Sequence, residues 1–415
     1  MEFIPGQADT HEPRIYPKRS AGQEFFLILM IGALNTITPF SIDMYLPAFK
    51  RIAADLHTDM AQVMLTVSIY FLGFGIGQIL YGPLLDRFGR KRPLYIGMVL
   101  YILASIGCAA APSIEMLLAM RFLQALSGCV ASVAAMAMVL DFFPPERSSR
   151  IFSSLVLILG ASPLLAPSIG GVIVDIAGWR YVFYVLSAIT VLMLLIVMFF
   201  LPEGHEPDSS VSLRPRHILS GFRDILSEPR FSIYALAGTF SFSGLFVYVA
   251  GSPGIFLGEF HVSPHYYSLI FAALSIGFIG SSQANHLLAT RYSTETIFRT
   301  TLTVQVVASV LFFITVMSGM GTMPLVLTFL FIVLSCAGLT SPNASATALA
   351  PFTRNAGSAS ALLGFIQIGI GGLISAGVGA IQMQSTLLVS MIMAVSSGVA
   401  LLMLLVSHRL FIKTS

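Results

Sequence analysis

Twelve apolar runs, each about the length of a membrane-spanning helix, follow one another along this chain. A bilayer core of about 30 Å needs about 20 apolar helical residues, and only helices or closed barrels satisfy their backbone hydrogen bonds in lipid. Barrel strands alternate over short segments, whereas these runs are long and continuous. The sequence therefore predicts an all-α membrane protein with twelve transmembrane helices, at 25–47, 61–84, 93–111, 115–140, 149–174, 180–201, 230–257, 266–289, 297–318, 322–345, 357–380 and 386–408.

The content of charged residues supports this prediction. Only 10% of the residues are charged and 56% are hydrophobic, whereas about a quarter of a soluble domain is charged. The net charge of +3 is too small to indicate a nucleic-acid partner. The three cysteines, Cys108, Cys129 and Cys336, each lie in an apolar run, which is typical of small packing residues rather than of a disulfide framework.

Sequence patterns of common enzymes are missing from the chain. There is no G-x-x-x-x-G-K-[ST] loop for nucleotide phosphates, no Cys/His spacing for a metal and no hydrolase motif. We therefore expect a protein that is not an enzyme and that carries no metal and no cofactor.

One polar stretch, 202–229, divides the twelve runs into six and six. Its central position predicts a cytoplasmic linker between an N-terminal bundle, 25–201, and a C-terminal bundle, 230–408. Residues 1–24 are polar, lack a signal-peptide pattern and are expected to form a cytoplasmic tail, as is 409–415. The basic loop after the second helix has a weak echo after the eighth, as expected where two halves are related repeats.

Lysine and arginine are distributed unevenly, which predicts the orientation. With both termini in the cytoplasm, the outside carries three of the 22 basic residues, Lys50, Arg51 and Arg180, and Arg121 lies inside the fourth helix. The other 18 then lie in cytoplasmic segments, at Arg14, Lys18, Arg19, Arg87, Arg90, Lys91, Arg92, Arg147, Arg150, Arg214, Arg216, Arg223, Arg230, Arg291, Arg299, Arg354, Arg409 and Lys413.

The loop after the second helix, 82–92, combines glycines, an acid and a basic cluster at fixed spacing. Gly82 is expected to let the second helix approach a neighbour closely, and Gly89 to permit a tight turn. Asp86 is an acid at the membrane edge, where it can meet a cation or a helix N-terminus. The cluster of Arg87, Arg90 and Lys91 holds the loop in the cytoplasm; a plain basic loop is the simpler alternative.

Asp43 lies at or just inside the outer end of the first helix. Intramembrane acids are costly and usually functional, and such a carboxyl group can bind and release a proton. The alternative is a solvated interfacial residue that orients the first outer loop.

Arg121 is the only basic residue deep inside a helix, at a cost of about 2.5–3.5 kcal/mol on an insertion scale. Gln124 and Gly128 share its helical face. A fixed positive charge near a titratable acid can substitute for the proton of that acid. The alternative is that Arg121 extends towards the nearby outer interface.

The fifth helix is rich in small residues and contains two prolines. Small residues permit close packing of helices in the membrane, and the prolines are expected to bend the helix. The positions that carry this pattern are Gly160, Pro163, Pro167, Gly170 and Gly171.

Together these motifs resemble the major facilitator superfamily, and among its members the twelve-helix drug:proton antiporters. Segment 82–92 is similar to the superfamily's signature loop, 121–128 to its helix 4 motif and 160–171 to the antiporter motif of exporters. Segment 41–47, with the polar and small residues of 62–78, is similar to the Bcr/CflA (bicyclomycin and chloramphenicol efflux) branch, related to MdfA-type multidrug exporters.

The resemblance implies a fold and several residue roles. Two pseudo-symmetric six-helix bundles would enclose a central cavity and rock against each other, with Asp43 and Arg121 coupling the movement to protons. Segment 82–92 would latch the halves together, with Arg90 paired to Asp141 and Asp86 facing Ser358. Candidate residues of the substrate cavity are Asn35, Tyr45, Gln124, Phe246, Tyr248 and Gln367.

Asn35 departs from the MdfA-type pattern, which carries a second acid at the matching position. Because an amide carries no proton at ordinary pH, neutral or zwitterionic substrates are favoured over cationic drugs. The expected function is proton-driven efflux of small amphipathic molecules by a monomer in the bacterial cytoplasmic membrane, with no cofactor other than the proton motive force. An exporter of an amino acid, dipeptide or sugar, and a non-transporting membrane sensor on the same fold, remain alternatives.

Overall fold

The computed structural model describes residues 20–143, 145–202, 207, 215–352, 356–380 and 385–412. A 3₁₀ turn, Leu46–Ala48, follows the first helix, and a π-helical turn, Gly254–Glu259, follows the ninth. The helices are α1 (Ala21–Asp43), α2 (Phe49–Asp55), α3 (Met60–Phe88), α4 (Lys91–Ala109), α5 (Ile114–Phe142), α6 (Pro145–Ala177), α7 (Arg180–Phe200), α8 (Pro215–Leu226), α9 (Pro229–Pro253), α10 (Pro264–Ala289), α11 (Thr294–Met317), α12 (Met323–Leu349), α13 (Ala356–Ala380) and α14 (Ser385–Ile412).

Eleven of the helices in the described residues are long and apolar enough to cross a membrane. The twelfth is α6, which contains the shorter apolar stretch Leu165–Ala177. The two remaining helices, α2 and α8, are only 7 and 12 residues long. The all-helical fold predicted from the twelve apolar runs is confirmed.

Side chains at the helix starts satisfy backbone N–H groups that have no partner within the helix. Ser20 and Gln23 form a reciprocal capping box at α1, and Asp59 accepts a 2.8 Å hydrogen bond from the Gln62 N–H at α3. At the other end of α3, Gly89 has φ = 77°, which L side chains rarely adopt. The tight turn predicted at Gly89 is therefore present.

The two halves pack their helices in the same pattern. In the N-terminal half, α5 contacts α1, α3 and α4, while α7 contacts α1 and α4; in the C-terminal half, α12 contacts α9, α10 and α11, while α14 contacts α9 and α11. Across the halves, α3 packs against α13 and α6 against α10. These equivalent neighbours show the predicted pseudo-symmetry.

Successive spanning helices run in opposite directions, so the molecule has two ends. We call the end where α1 finishes the Asp43 end, and the end where α3 gives way to α4 the Arg90 end. The sequence predicts that the Arg90 end is cytoplasmic.

Contacts between the halves are close along α3 and α13. The hydroxyls of Ser68 and Ser375 lie 2.8 Å apart. Beside them, the ring of Phe71 meets that of Phe246, on α9, edge to face at 4.5 Å. A Cβ on Gly75 would lie 3.0 Å from the backbone nitrogen of Gly369. Only small residues allow the two backbones to come this near.

Several helix bounds differ from the predicted ones. The first span, predicted to reach 47, ends as a regular α-helix at Asp43, because the chain tightens into a 3₁₀ turn that contains Pro47. The predicted linker contains α8, and the segment predicted as a C-terminal tail begins within α14, which continues to Ile412.

Candidate transport site

Arg121 is fully buried between three aromatic rings. Its guanidinium carbon lies 4.4 Å from the ring centre of Tyr70, 4.7 Å from that of Tyr45 and 5.8 Å from that of Phe183. We call these three rings the Arg121 cage. They lie in α3, in the turn after α1 and in α7, and their π faces attract the buried cation. Because Arg121 is fully enclosed here, the alternative in which it extends towards the interface does not hold for this structure.

A hydrogen-bond network fixes one nitrogen of Arg121. Nη1 donates to the Ser41 carbonyl oxygen at 3.0 Å and to Gln124 Oε1 at 2.7 Å. The amide nitrogen of Gln124 donates to Ser105 Oγ at 2.7 Å, and the Ser41 hydroxyl bonds with that of Tyr101. The network joins α1, α4 and α5, so the position of Arg121 is determined by three helices.

Several buried polar atoms on α1, α3 and α5 have no hydrogen-bond partner in the part of the chain that the structure describes. They are Arg121 Nε and Nη2, Tyr70 Oη, Thr38 Oγ1 and Asn35 Nδ2. Buried polar groups in proteins are nearly always paired, so a group of unpaired ones is unusual. We call these four residues the donor cluster.

Asp43 faces the other half of the molecule. It is 5% exposed and lies close enough to the hydroxyls of Tyr248 and Tyr267, on α9 and α10, to act on them electrostatically. No hydrogen bond or ion pair joins Asp43 to another residue that the structure describes. Tyr248 Oη also has no hydrogen-bond partner in the described ranges, whereas the Tyr267 hydroxyl lies 2.9 Å from Ser252 Oγ.

The structure therefore separates the two residues predicted to act in proton coupling. Arg121 is held within the N-terminal half, and Asp43 lies between the halves. Of the predicted cavity residues, Tyr45 and Gln124 are contacts of Arg121. Asn35 is buried in the donor cluster, and Tyr248 lies beside Asp43. Phe246 packs against Phe71 and Gly371. Gln367 is half-buried and donates to Ser345 Oγ at 3.2 Å.

The antiporter motif brings α6 against the end of α1. A Cβ on Gly170 would overlap the carbonyl group of Met44, whereas a Cβ on Gly171 would make an ordinary 3.5 Å contact with Ser268 Oγ. Ser268, on α10, also donates to the Pro167 carbonyl at 2.9 Å. The motif thus contacts both the Asp43 region and the C-terminal half. Pro163 and Pro167 lie inside α6, and the surroundings of Gly160 lie outside the described residues.

Arg90 is the centre of the ion pairs at the other end. Its Nε lies 2.7 Å from Asp141 Oδ2, and its Nη1 lies 2.7 Å from Asp86 Oδ1. Burial acts to lower the pKa of Arg90, but the hydrogen bonds and charges of Asp141 and Asp86 outweigh it and raise the pKa above its usual value. The Arg90–Asp141 contact implied by the resemblance is therefore present in the structure, while its gating role stays a prediction.

Two further expectations for segment 82–92 have different outcomes: the close approach at Gly82 does not hold in this structure, while the placement of Asp86 facing Ser358 stays a prediction. Asp86 is half exposed and pairs with Arg90, and no hydrogen bond connects it to Ser358 among the described residues. Gly82 makes no close approach, because a Cβ there would meet nothing within 4 Å. On α3 the close approaches occur earlier, at Gly73, Gly75 and Gly77. Arg87 and Lys91 lie in the same loop region, with the Arg87 guanidinium 5.9 Å from the Phe88 ring centre.

Sequence reasoning missed Tyr70, Phe183 and Ser105 around Arg121, and Tyr267 opposite Asp43. Each lies in an apolar helix and looks like a packing residue in the sequence. Their roles depend on which helices are neighbours, and a single sequence gives no signal for that.

A family model described as the Major Facilitator Superfamily matches residues 31–376. A bicyclomycin resistance protein homolog of Haemophilus influenzae is 30% identical over 361 residues, which cover 87% of this chain and 90% of that protein. The multidrug resistance protein MdtL of Klebsiella pneumoniae is 29% identical, covering 82% and 85%. A chloramphenicol resistance protein of Pseudomonas aeruginosa is 27% identical, covering 69% and 68%. These relatives confirm the resemblance to the Bcr/CflA branch.

Solved structures share the fold at low sequence identity. A bacterial homolog of the human lysosomal transporter Spinster, in an inward-facing and unoccupied conformation, has a TM-score of 0.73 at 16% identity and covers 95% of this chain and 99% of its own. A D-xylose-proton symporter has a TM-score of 0.71 at 14% identity and covers 91% and 97%. Since the family model matches residues 31–376, the chain belongs to the major facilitator superfamily.

Proposed function

We propose that this protein exports small, amphipathic, drug-like molecules of the chloramphenicol or bicyclomycin type across the bacterial cytoplasmic membrane in exchange for protons. The names of its relatives support this substrate class. The distribution of lysine and arginine supports an orientation with both termini in the cytoplasm. The observation that carries proton coupling is the position of Asp43, which is buried between the halves and has no hydrogen-bond or ion-pair partner among the described residues.

An unpaired carboxylate ion is costly to bury, and a neutral carboxylic acid much less so. The packing of the two halves at the Asp43 end therefore accommodates protonated Asp43 better than the ion. Loss of the proton would favour separation of the halves there, because separation brings water to the carboxylate. Protonation of one residue would in this way bias which end of the transporter is open.

One proton that crosses 100 mV releases about 2.3 kcal/mol. If the substrate carries no net charge, this supports a concentration gradient of about fiftyfold.

The test is substrate-triggered proton release from inverted membrane vesicles, with chloramphenicol as the first substrate. Wild-type protein should release protons on addition of chloramphenicol, and Asp43→Asn should not. Asp59→Asn is the matched control, since it removes a carboxylate at the same end while asparagine caps a helix as well as aspartate does. It should behave as wild type.

Two results would contradict the proposal. Proton release that survives in Asp43→Asn would mean that another group carries the proton. Substrate transport at a rate that does not depend on the proton gradient would contradict proton coupling.

Segment 82–92, together with Asp141, is proposed to hold the Arg90 end closed in the conformation in which the Asp43 end is open. The loop residues proposed to act in this way are Gly82, Asp86, Arg87, Gly89, Arg90 and Lys91. The Arg90–Asp141 pair supports this role. An exchange of the two charges, Arg90→Asp with Asp141→Arg, should recover part of the transport that either single change removes. Failure of the double variant to exceed the single ones would contradict it.

A further inference from the structure

The two unpaired nitrogens of Arg121 lie on one edge of its guanidinium group. Arginine presents five N–H donors in a fixed planar fork, and here only Nη1 is engaged. The N–H bonds of Nε and Nη2 point in nearly the same direction, an arrangement that matches the two oxygens of a carboxylate. Both nitrogens are buried and have no hydrogen-bond partner among the residues that the structure describes.

The other members of the donor cluster lie on α1 and α3, which both pack against α5, the helix of Arg121. The Tyr70 ring is part of the Arg121 cage, and its hydroxyl lies within reach of the side chains of Thr38 and Ser41, although no hydrogen bond of ordinary geometry joins it to either of them. Asn35 is one turn before Thr38 on the same face of α1. Asn35, Thr38, Tyr70 and Arg121 are at most 7% exposed, so bulk water does not satisfy their unpaired atoms.

The unpaired groups are mainly donors. Arg121 has no acceptor at all, Asn35 leaves its NH₂ group unpaired, and the hydroxyls of Thr38 and Tyr70 can each donate. The nearby acceptors, the Ser41 carbonyl and Gln124 Oε1, are already engaged by Arg121. A site of this composition selects a ligand that brings oxygen acceptors rather than donors.

The positive charge of Arg121 also favours a ligand that brings oxygen acceptors. Arg121 has no ion pair with any described residue, and Asp43 faces Tyr248 and Tyr267 of the other half. An unpaired positive charge attracts an anion and repels a cation, and these effects are strong away from water.

We propose that the donor cluster binds a carboxylate of the transported molecule, so that the preferred substrates are amphipathic organic acids or zwitterions. This rests on the proposed export function and names its substrate class. A nitro group has the same two-oxygen shape without the charge and would bind the same edge more weakly. Permanently cationic compounds would be excluded.

The test measures equilibrium binding to the purified full-length protein, without a proton gradient. The first probe pair is N-acetylphenylalanine and N-acetylphenylalaninamide, which differ only in carboxylate against amide. The acid should bind at least about tenfold more tightly, as charged hydrogen bonds are stronger than neutral ones. The second pair is chloramphenicol and its analogue with the nitro group reduced to an amine, for which a smaller preference in the same direction is expected.

Variants locate the effect. Arg121→Lys keeps the charge but loses the fork, so most of the preference for the acid should disappear. Thr38→Val is nearly isosteric and removes an unpaired hydroxyl. It should raise the melting temperature of the ligand-free protein and weaken binding of N-acetylphenylalanine by about threefold to tenfold. This combination of opposite effects would not arise from a purely structural role.

Ser309→Ala is the matched control. Ser309 Oγ is also buried and unpaired but lies on α11 in the other half. This variant should raise the melting temperature while leaving binding of the acid unchanged. If Arg121→Lys fails to fold, the comparison of acid binding in Thr38→Val and in Ser309→Ala still tests the proposal.

Equal affinity for acid and amide, or an Arg121→Lys variant that keeps the full preference, would overturn the proposal. The proposal would also be overturned if neither Thr38→Val nor Ser309→Ala changed the affinity for N-acetylphenylalanine. These results leave the proposed function standing if proton-coupled export of neutral compounds persists in vesicles. Conversely, a preference for the acid in detergent with no proton release in vesicles would support the carboxylate site and count against antiport.

Discussion

Gly170 occupies the point where α6 passes closest to the end of α1. Replacing it by alanine would place a Cβ 2.7 Å from the Met44 carbonyl carbon and 2.8 Å from Met44 Cα. Because these are backbone atoms, no side-chain rotation relieves the overlap, and we expect a cost of about 1–3 kcal/mol. Gly170→Ala should therefore lower the melting temperature and reduce transport, as the helices separate beside Asp43.

Gly171→Ala is the control for this prediction. Its Cβ would make only a 3.5 Å contact with Ser268 Oγ, and alanine favours a helix by about 1 kcal/mol relative to glycine. Gly171→Ala should be neutral or slightly stabilising in the same melting and transport assays. Equal losses in the two variants would show that the motif needs glycine for a reason other than this close approach.

At the scale of single residues, the sequence identified Arg121, Asp43, Gln124 and Asn35, because a polar side chain inside an apolar run is costly and stands out. It did not show that Asp43 and Arg121 point to different halves, although Asp43 is only two positions from Ser41, which binds Arg121. That separation arises because α1 packs against α5, whereas the 3₁₀ turn that follows Asp43 packs against α10 of the C-terminal half.

At the scale of elements, α3 and α13 form a contact between the halves that depends on glycine. A Cβ on Gly372 would lie 2.9 Å from Phe71 Cβ and 3.2 Å from the Leu72 backbone nitrogen, whereas a Cβ on Gly369 would meet only the Phe365 ring at 3.7 Å. Gly372→Ala should therefore push the two helices apart, at a cost of about 1–3 kcal/mol.

The measurement is the rate at which a maleimide labels a cysteine introduced at Ser68, whose side chain is buried against Ser375 on α13. Labelling should be faster with Gly372→Ala than with Gly369→Ala, each compared with the parent. No difference between the two glycine variants would show that the α3–α13 contact tolerates an extra methyl group.

The spanning helices were predictable because membrane thickness fixes their length and hydrophobicity. Segment 215–226 was not predicted as a helix, since it is short and carries charged residues such as Arg223 and Asp224. The sequence predicted the end of the first helix too far along the chain, because an apolar run continues through Tyr45 and Leu46, where the backbone already turns. Hydropathy reports burial in lipid and does not report these changes in backbone geometry.

At the scale of the whole molecule, both halves use the same helix neighbours, and the Asp43 end brings α6 against α10 and Asp43 against two tyrosines of the other half. Transport requires that this end opens when the Arg90 end closes. At the Arg90 end, Asp86 is the acid that corresponds to Asp43. It is half exposed and has no hydrogen bond to the start of α13 among the described residues. We expect Asp86 to contact α13 near Ser358 when that end closes.

Distances between spin labels at the two ends test this coupling. Labels at Lys50 and Met320 report the Asp43 end, labels at Phe88 and Tyr292 report the Arg90 end, and these four sites are exposed. The native cysteines are buried, so introduced cysteines can be labelled selectively. Lowering the pH protonates Asp43 and should shorten the Lys50–Met320 distance while lengthening the Phe88–Tyr292 distance; raising the pH should reverse both.

Asp43→Asn separates this mechanism from a general effect of pH. Asparagine resembles the neutral acid, so this variant should keep the Asp43 end closed at every pH, with both distances fixed near their low-pH values. Asp59→Asn should retain the response of the parent protein. Distances in Asp43→Asn that still change with pH, or distances at the two ends that change in the same direction, would contradict the idea that one buried carboxyl group decides which end is open.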